Sequence, residues 1–371
     1  MKTFFKIFLL KASNYLLLLF ITFVLFLVGC SKDDSSEDKN ISKIELEQLG
    51  NLTLSLSTGY KVFFDHSGNP VTYYGGYMYK WAPSTKEWTK IGNGMLDAAP
   101  KQFAEDNLGD CYALLNSKIY KLNKNNGKWE YFIFNDGFVD IDNLFCNANG
   151  DIICYKYYNA IFQFYKKEAD STNWVKIAEI ESYYSTIFPN YLTDNGYLLF
   201  EQNAGSYAPG LGSKMLDTKT GEMVQLWDET DPINGEFGDR ISNYQICSNG
   251  NIYTTKGSVS SRIYSFYKLT TNNIPSKFEK IQTYDASILT KELNVRFNGY
   301  CVDSNGSMKI IFLCSKPYGD RYYAYATANI NSSELFIKDH PLYGDHIALL
   351  SNRQEDVYIF NVSNPILFKW K

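Results

Sequence analysis

The chain is poor in the residues that most catalytic and metal chemistry requires. It has three histidines in 371 residues. Two of them, His340 and His346, follow Asp339 and Asp345 in one loop, and without a third ligand they do not make a metal site. Gly-rich phosphate loops, nucleophile elbows and zinc motifs are missing, so neither a metal nor a cofactor is expected. There is no concentrated basic face, which argues against a nucleic-acid partner. Proline is scarce as well, at 10 residues against 30 tyrosines, and aromatic residues make up 16% of the chain. That balance belongs to a β-rich protein, because rings pack well on pleated surfaces.

The first 29 residues lack acidic side chains, and Lys2, Lys6 and Lys11 precede an apolar run from Tyr15 to Val28. This is the layout of an export signal. At 14 residues the run is shorter than the roughly 20 a membrane-spanning helix needs. Its end, Leu27-Val28-Gly29-Cys30, resembles the bacterial lipobox, in which a thiol receives diacylglycerol before cleavage. The resemblance implies that residues 1–29 are removed and that the lipidated Cys30 ties the mature protein to a membrane. Several acyl chains on one residue make such anchoring effectively permanent.

Residues 31–40, Ser-Lys-Asp-Asp-Ser-Ser-Glu-Asp-Lys-Asn, have no apolar side chain to bury and read, with Cys30, as a disordered acidic tether over 30–40. Lys32-Asp33-Asp34 resembles the acidic export signal of surface lipoproteins from Bacteroidota-type bacteria. That likeness implies an outer-membrane lipoprotein exposed at the cell surface. Cleavage takes away three lysines and no acid, leaving 33 basic and 40 acidic side chains and a formal charge of −7.

Residues 41–371 carry an internal repeat. Short turns recur at Asp65-His-Ser-Gly68, Asp106-Asn-Leu-Gly109, Asn147-Ala-Asn-Gly150, Thr193-Asp-Asn-Gly196, Ser248-Asn-Gly250 and Asp303-Ser-Asn-Gly306. A seventh, Ser351-Asn-Arg-Gln-Glu355, has no glycine. Asx residues followed by glycine supply positive φ and local hydrogen bonds, so each turn should close a β-hairpin. Spacings of 41, 41, 46, 54, 56 and 49 residues separate them. After each turn come a β-rich run, a variable loop and, in most units, an aromatic-Lys pair: Tyr79-Lys80, Tyr120-Lys121, Tyr165-Lys166, Tyr267-Lys268 and Phe368-Lys369. In the first three units a tryptophan (Trp88, Trp129, Trp174) stands nine positions beyond the aromatic.

Four short strands per unit of this length indicate propeller blades, whose apolar faces are covered only by stacked neighbours. The expected fold is all-β, a seven-bladed β-propeller of four-stranded antiparallel blades, with six or eight blades as alternatives. A β-sandwich pair and an open solenoid fit the spacing less well. The last unit ends one strand short, and residues 41–46 are expected to supply that strand by pairing near residues 366–370. Unit one, Gly75-Gly76-Tyr-Met-Tyr-Lys-Trp81 through Trp88, resembles a kelch repeat. Units two and three share only its Tyr and Trp, and the likeness implies blade geometry without a function. The cysteines after Cys30 lie in apolar strand-like runs and read as buried thiols, with Cys146 and Cys154 as a less favoured disulfide pair.

Connections between second and third strands, and between units, read as long and irregular, and binding on a rigid scaffold concentrates in such loops. They carry Tyr157, Tyr158, Tyr183, Tyr184, Tyr207, Asp239, Arg240, Tyr318, Arg321 and Tyr343. Aromatic faces stack on sugar rings and carboxylates accept hydrogen bonds from hydroxyls. The expected role is therefore a binding module for a glycan or an envelope protein. An extracellular polysaccharide hydrolase or lyase is the alternative, and no catalytic residue is assigned. Asp228-Glu229-Thr230-Asp231 has the oxygen ligands a Ca²⁺ ion takes, but reads as a solvated acidic loop. His66 falls on the tight-turn face, away from the tyrosines.

Overall fold

Strand Cys111–Leu115 is buried throughout because both of its faces are covered. Side chains alternate across a strand. Tyr112 and Leu114 therefore meet one neighbouring sheet while Cys111, Ala113 and Leu115 meet the other.

A computed structural model describes residues 46–50, 61–132, 140–168, 171, 173–181, 187–202, 210–231, 240–241, 243–247, 250–257, 263–285, 294–303, 307–315, 321–329, 336–339, 347–352, 354–361 and 366–371. The expected signal peptide and tether lie outside these residues. Ile44–Lys371 group as one compact unit.

Strand β1 is Leu46–Gln48. The first sheet holds β2 (Val62–Phe64), β3 (Pro70–Tyr74), β4 (Tyr77–Ala82) and β5 (Glu87–Ile91). The second holds β6 (Gln102–Glu105), β7 (Cys111–Leu115), β8 (Lys118–Leu122) and β9 (Trp129–Tyr131). The third holds β10 (Asn143–Cys146), β11 (Ile152–Tyr158), β12 (Ile161–Lys167) and β13 (Val175–Glu181). The fourth holds β14 (Ile187–Leu192), β15 (Tyr197–Gln202), β16 (Gly210–Asp217) and β17 (Met223–Gln225), and β18 (Arg240–Ile241) also pairs with β16. The fifth holds β19 (Gln245–Ile246), β20 (Asn251–Gly257), β21 (Ile263–Thr270) and β22 (Glu279–Asp285). The sixth holds β23 (Asn294–Val302), β24 (Ser307–Ser315), β25 (Arg321–Asn329) and β26 (Phe336–Asp339). The seventh holds β27 (Ile347–Ser351), β28 (Val357–Asn361) and β29 (Ile366–Trp370), with β1 as its outer strand. Among the described residues these are four-stranded antiparallel meanders, the blades of a β-propeller.

Apolar clusters join each sheet to the next. Phe63 and Met78 meet Phe103; Tyr112 meets Leu144 and Cys154; Phe162 and Phe164 meet Leu198 and Phe200; Met215 meets Ile252 and Phe278. The rings of Phe266 and Tyr300 lie 5.3 Å apart between the fifth and sixth sheets. Cys301 and Ile311 then meet Ile359 and Trp370, and Tyr358 and Phe360 of the seventh sheet meet Trp81 of the first.

The strand that completes the last sheet pairs Leu46 with Trp370, Glu47 with Lys369 and Gln48 with Phe368. Its partner is the expected one. The strand itself begins where the expected segment ends, and residues 41–45 lie outside the described ones.

The repeated turn has one design. Its first side chain, buried except at the half-buried Asp303, accepts the backbone N–H four residues on: Asp65 from Asn69 (2.6 Å), Asp106 from Asp110 (2.8 Å), Asn147 from Asp151 (2.9 Å), Thr193 from Tyr197 (3.0 Å), Asp303 from Ser307 (2.8 Å) and Asn352 from Asp356 (2.8 Å). Among the described residues, Cys247 holds the fifth turn through backbone bonds with Gly250 and Asn251. The fourth position needs positive φ, supplied by Gly68, Gly109, Gly150, Gly196 and Gly250, and in the seventh turn by Glu355 at φ 62°.

A side chain in that region is strained. Burial and the nearby Asp303 charge also raise the Glu355 carboxyl above its ordinary 4.5, against the pull of Lys268. Glu355→Gly should therefore stabilise the fold by about 1 kcal/mol in urea titrations at neutral pH. A carboxyl whose pKa is raised in the fold favours folding below its unfolded value, and that contribution is lost as pH rises through the folded value. Glu355→Gln should flatten this descending limb, from about pH 4.5 upward, in a stability profile.

Candidate functional site

Each of β2, β6, β10, β14, β19, β23 and β27 is a terminal strand of its sheet, so one backbone edge of each is left by its own sheet to face the central channel. Five of them converge on a cavity of about 260 Å³ that opens beside the tight turns. Phe64, Phe103, Phe145 and Tyr191 give it aromatic wall, and Gln102, Asn190, Cys146, Ser351 and Asn352 give it neutral polar groups.

Asp65 and Glu105 also border the cavity, and the two carboxylates share one ammonium. Lys80, from the aromatic-Lys pair of β4, lies 2.7 Å from Asp65 Oδ2 and 3.2 Å from Glu105 Oε2. Burial works against the Lys80 ammonium, yet the two carboxylates hold its pKa above the ordinary value. The same arrangement recurs around the ring: Lys121 meets Asp110 (2.6 Å), Lys166 meets Asp151 (3.3 Å) and Lys369 meets Asp356 (2.9 Å). The repeated lysine thus returns from the third strand to the turn that opens the second.

His66, the second residue of the first turn, is half-buried at the cavity wall. Its Nδ1 is buried and has no hydrogen-bond partner among the described residues. Nearby, Asn190 Nδ2 donates to the Tyr244 hydroxyl at 2.8 Å; burial, with Glu201 adding to it, pushes that phenol well above its ordinary pKa. Cys146 donates to the carbonyl of Glu105 at 3.3 Å. At the other end of the inner strands, Lys61 Nζ donates to the Lys101 carbonyl (3.1 Å) and Lys101 Nζ to that of Asp142 (2.5 Å). These contacts stitch one inner strand to the next.

The tyrosine surface is only partly in view. Tyr157 and Tyr158 end β11 at a two-residue turn, Asn159-Ala160, with φ of 51° and 61°. This corrects the expectation of a long loop there. Gly75-Gly76 and Asn116-Ser117 form the same kind of turn, the tight hairpin that matches strand twist. The Tyr157 ring packs 4.5 Å from Phe162 and 6.2 Å from Phe188, between sheets, whereas Tyr158 is 66% exposed. Arg240 pairs through its backbone with Gly212, and Arg321 with Ser315. Tyr183, Tyr184, Tyr207, Asp239, Tyr318 and Tyr343 lie outside the described residues, as do His340, Asp345 and His346.

The acidic loop at Asp228 is exposed at Glu229 and Thr230, as expected of a solvated loop, and buried at Asp231. Asp228 Oδ1 accepts from Thr230 N (2.9 Å) and Oγ1 (2.6 Å), and the buried Asp231 accepts from Phe278 N (3.1 Å). Among the described residues no three His, Cys, Asp or Glu side chains group to hold a metal ion. Cys146 stands opposite Ile152 and Cys154 opposite Leu144, and both are thiols. Burial pushes the thiols of Cys111 and Cys301 up to about 12.

The sequence reading set His66 aside because it sits in a tight turn. What it missed is that the turns with shorter inner strands between them gather around the channel. The buried first residue of each turn was the available signal.

No family model matches the chain, and no curated protein matches it. Among solved structures, an oligogalacturonate lyase in complex with manganese superposes with a TM-score of 0.53 at 6% identity, covering 88% of this chain and 96% of that one. The hydrazine synthase of Kuenenia stuttgartiensis superposes with a TM-score of 0.51 at 10% identity, over 87% and 98%. A streptogramin B lyase gives 0.49 at 15% identity, over 88% and 97%. At such identities the first two likenesses concern the fold alone. Fold and site together define a β-propeller with a small cavity at one mouth of its channel.

Proposed function

We propose that this chain is a lipid-anchored binding protein of the outer membrane, exposed at the cell surface, whose propeller recognises a glycan or the glycan-bearing part of an envelope partner. In this reading the seven sheets are the blades of one closed ring, a count of seven rather than six or eight. Cys30 carries the lipid, and residues 31–45 lead from it to β1.

The observation that carries the binding role is the channel-mouth cavity, where aromatic walls and neutral amides stand together while the bordering carboxylates are held by Lys80. The wall is polar and apolar in about equal parts, and placed polar groups are what fix a ligand's orientation in a pocket. A glycan array, run with a product assay on every hit, tests it. Binding without turnover is the expected result; release of shortened glycans would replace the binding module with a hydrolase or lyase.

The anchor has its own test. Cys30→Ser should move the protein from the membrane pellet to the soluble fraction with its β-type circular dichroism intact. A variant that stays in the pellet would overturn lipidation at this residue.

A further inference from the structure

We infer that Met95 is an oxidation site of this protein, taking an oxygen atom from a peroxide, and that its sulfoxide loosens the strap by which residues 92–96 tie the first sheet to the second. The inference stands apart from the binding reading.

Exposure singles the residue out. Of the six methionines in the chain, Met1 lies outside the described residues, and Met78, Met215 and Met308 are 0% exposed. Met223 is 38% exposed and Met95 is 63% exposed. An oxidant in solution therefore meets Met95 first.

Its place in the chain gives that exposure a consequence. Residues 92–101 lead from β5 to β6, and their first half is tied down on both sides. Asn93 N and Gly94 N both donate to the Gly127 carbonyl, at 2.7 and 2.9 Å, in the β8–β9 turn of the second sheet. Leu96 N donates to the Gly76 carbonyl at 2.8 Å, in the β3–β4 turn of the first. Tyr73, near the end of β3, donates its hydroxyl to the Leu96 carbonyl at 3.1 Å, and the Leu96 side chain is buried in one cluster with Phe63, Met78 and Phe103. Met95 is thus the one residue between the two tie points.

The thioether lies across the turn. Gly76 has a φ of 91°, and a Cβ there would stand 2.5 Å from the Met95 methyl and 3.6 Å from its Cγ. The side chain therefore covers the Gly76 backbone, beside the carbonyl that accepts from Leu96, while most of its own surface faces water. Oxidation turns this apolar cover into a polar group that draws water to it. A backbone hydrogen bond opened to water exchanges faster.

The step balances with peroxide alone. The sulfur lone pair takes one oxygen of hydrogen peroxide, the O–O bond breaks, and the proton on the transferred oxygen leaves with the other oxygen as water. Sulfur loses two electrons and the peroxide gains them.

The test uses full-length protein purified from membranes in detergent and treated with hydrogen peroxide. Peptide mass spectrometry should find the Met95 sulfoxide first, forming about tenfold faster than those of Met78, Met215 and Met308, with Met223 between. Once Met95 is fully oxidised, amide hydrogen exchange in the peptide spanning 92–101 should rise about threefold or more. The peptide spanning 266–272, in the fifth sheet, should keep its rate. Met95→Gln, polar without any oxidant, should show the faster exchange untreated. Met95→Leu should show the slow rate before and after peroxide.

A core methionine oxidised as fast as Met95 would overturn the site. Unchanged exchange over 92–101 in both the oxidised protein and Met95→Gln would overturn the link to the strap. Faster exchange in peroxide-treated Met95→Leu would place the cause in another residue and overturn it as well.

Discussion

A chain that begins after Gly50 should lose cooperative thermal unfolding, because the seventh sheet then lacks its outer strand and the first sheet lacks its cover. Leu49 is the centre of this closure. Its N–H donates to the Leu367 carbonyl at 2.9 Å, its own carbonyl accepts the Trp88 indole N–H at 2.8 Å, and its side chain is buried with Trp81, Tyr358, Phe360 and Leu367. One residue is thus bonded to the last sheet and to the first. Leu49→Ala should cost about 2–5 kcal/mol in urea or thermal unfolding. The ion pairs of the same strand should contribute far less. Glu47 meets Lys86 and Lys371 at 3.2 and 3.1 Å, but those lysines are 72% and 50% exposed, and exposed pairs contribute about 0–1 kcal/mol. Glu47→Ala should therefore unfold almost as wild type does. If Glu47→Ala proved as damaging as Leu49→Ala, the closure would be electrostatic rather than apolar. Gly50 adds a steric condition: at φ +65°, a Cβ there would stand 3.0 Å from Trp88 and 3.1 Å from Trp81.

Much of this architecture is legible in the residues because the repeat is local chemistry. Asx, or Thr193 in the fourth turn, starts the turns whose side chain accepts the N–H four residues on, and glycine, or Glu355 in the seventh, supplies the positive φ. The offset of nine between Tyr79 and Trp88, Tyr120 and Trp129, and Tyr165 and Trp174 marks a place in each blade. Trp88 covers the seam between the seventh sheet and the first, Trp129 that between first and second, Trp174 that between second and third. The sequence showed the spacing but not the seam, since which sheets touch depends on ring closure. The paired lysines are visible too, but as landmarks; their bonds to Asp65, Asp110, Asp151 and Asp356 close within one blade, and depend on the register between its second and third strands. Loop length was misjudged at Tyr157-Tyr158, where Asn159 and Ala160 both adopt positive φ without glycine. The cavity had no linear signature at all, because its wall takes a few residues from each of five distant strands.

Lys167→Ala should destabilise the protein by about 3 kcal/mol, measured by urea unfolding at neutral pH. Lys167 ends β12 in the third sheet, and its ammonium reaches Asp106 Oδ2, in the turn of the second sheet, at 3.4 Å. The two side chains are 4% and 0% exposed, and the Tyr112 ring lies 5.8 Å from the ammonium. Asp106 Oδ1 accepts Asp110 N and Leu108 N at 2.8 and 3.1 Å, so the carboxylate shapes its own turn and pins the next sheet at once. Removing the lysine leaves a buried charge whose remaining donors are neutral amides, which is why the loss should exceed that of the exposed pairs of β1. The double variant Asp106→Asn with Lys167→Met removes both charges, retains an oxygen for the turn and keeps most of the lysine stem's packing. It should recover to within about 1 kcal/mol of wild type. A double variant no more stable than Lys167→Ala would mean that the lost attraction of the pair itself, rather than the stranded charge, sets the loss. The cycle thus separates what holds a turn from what holds two blades together.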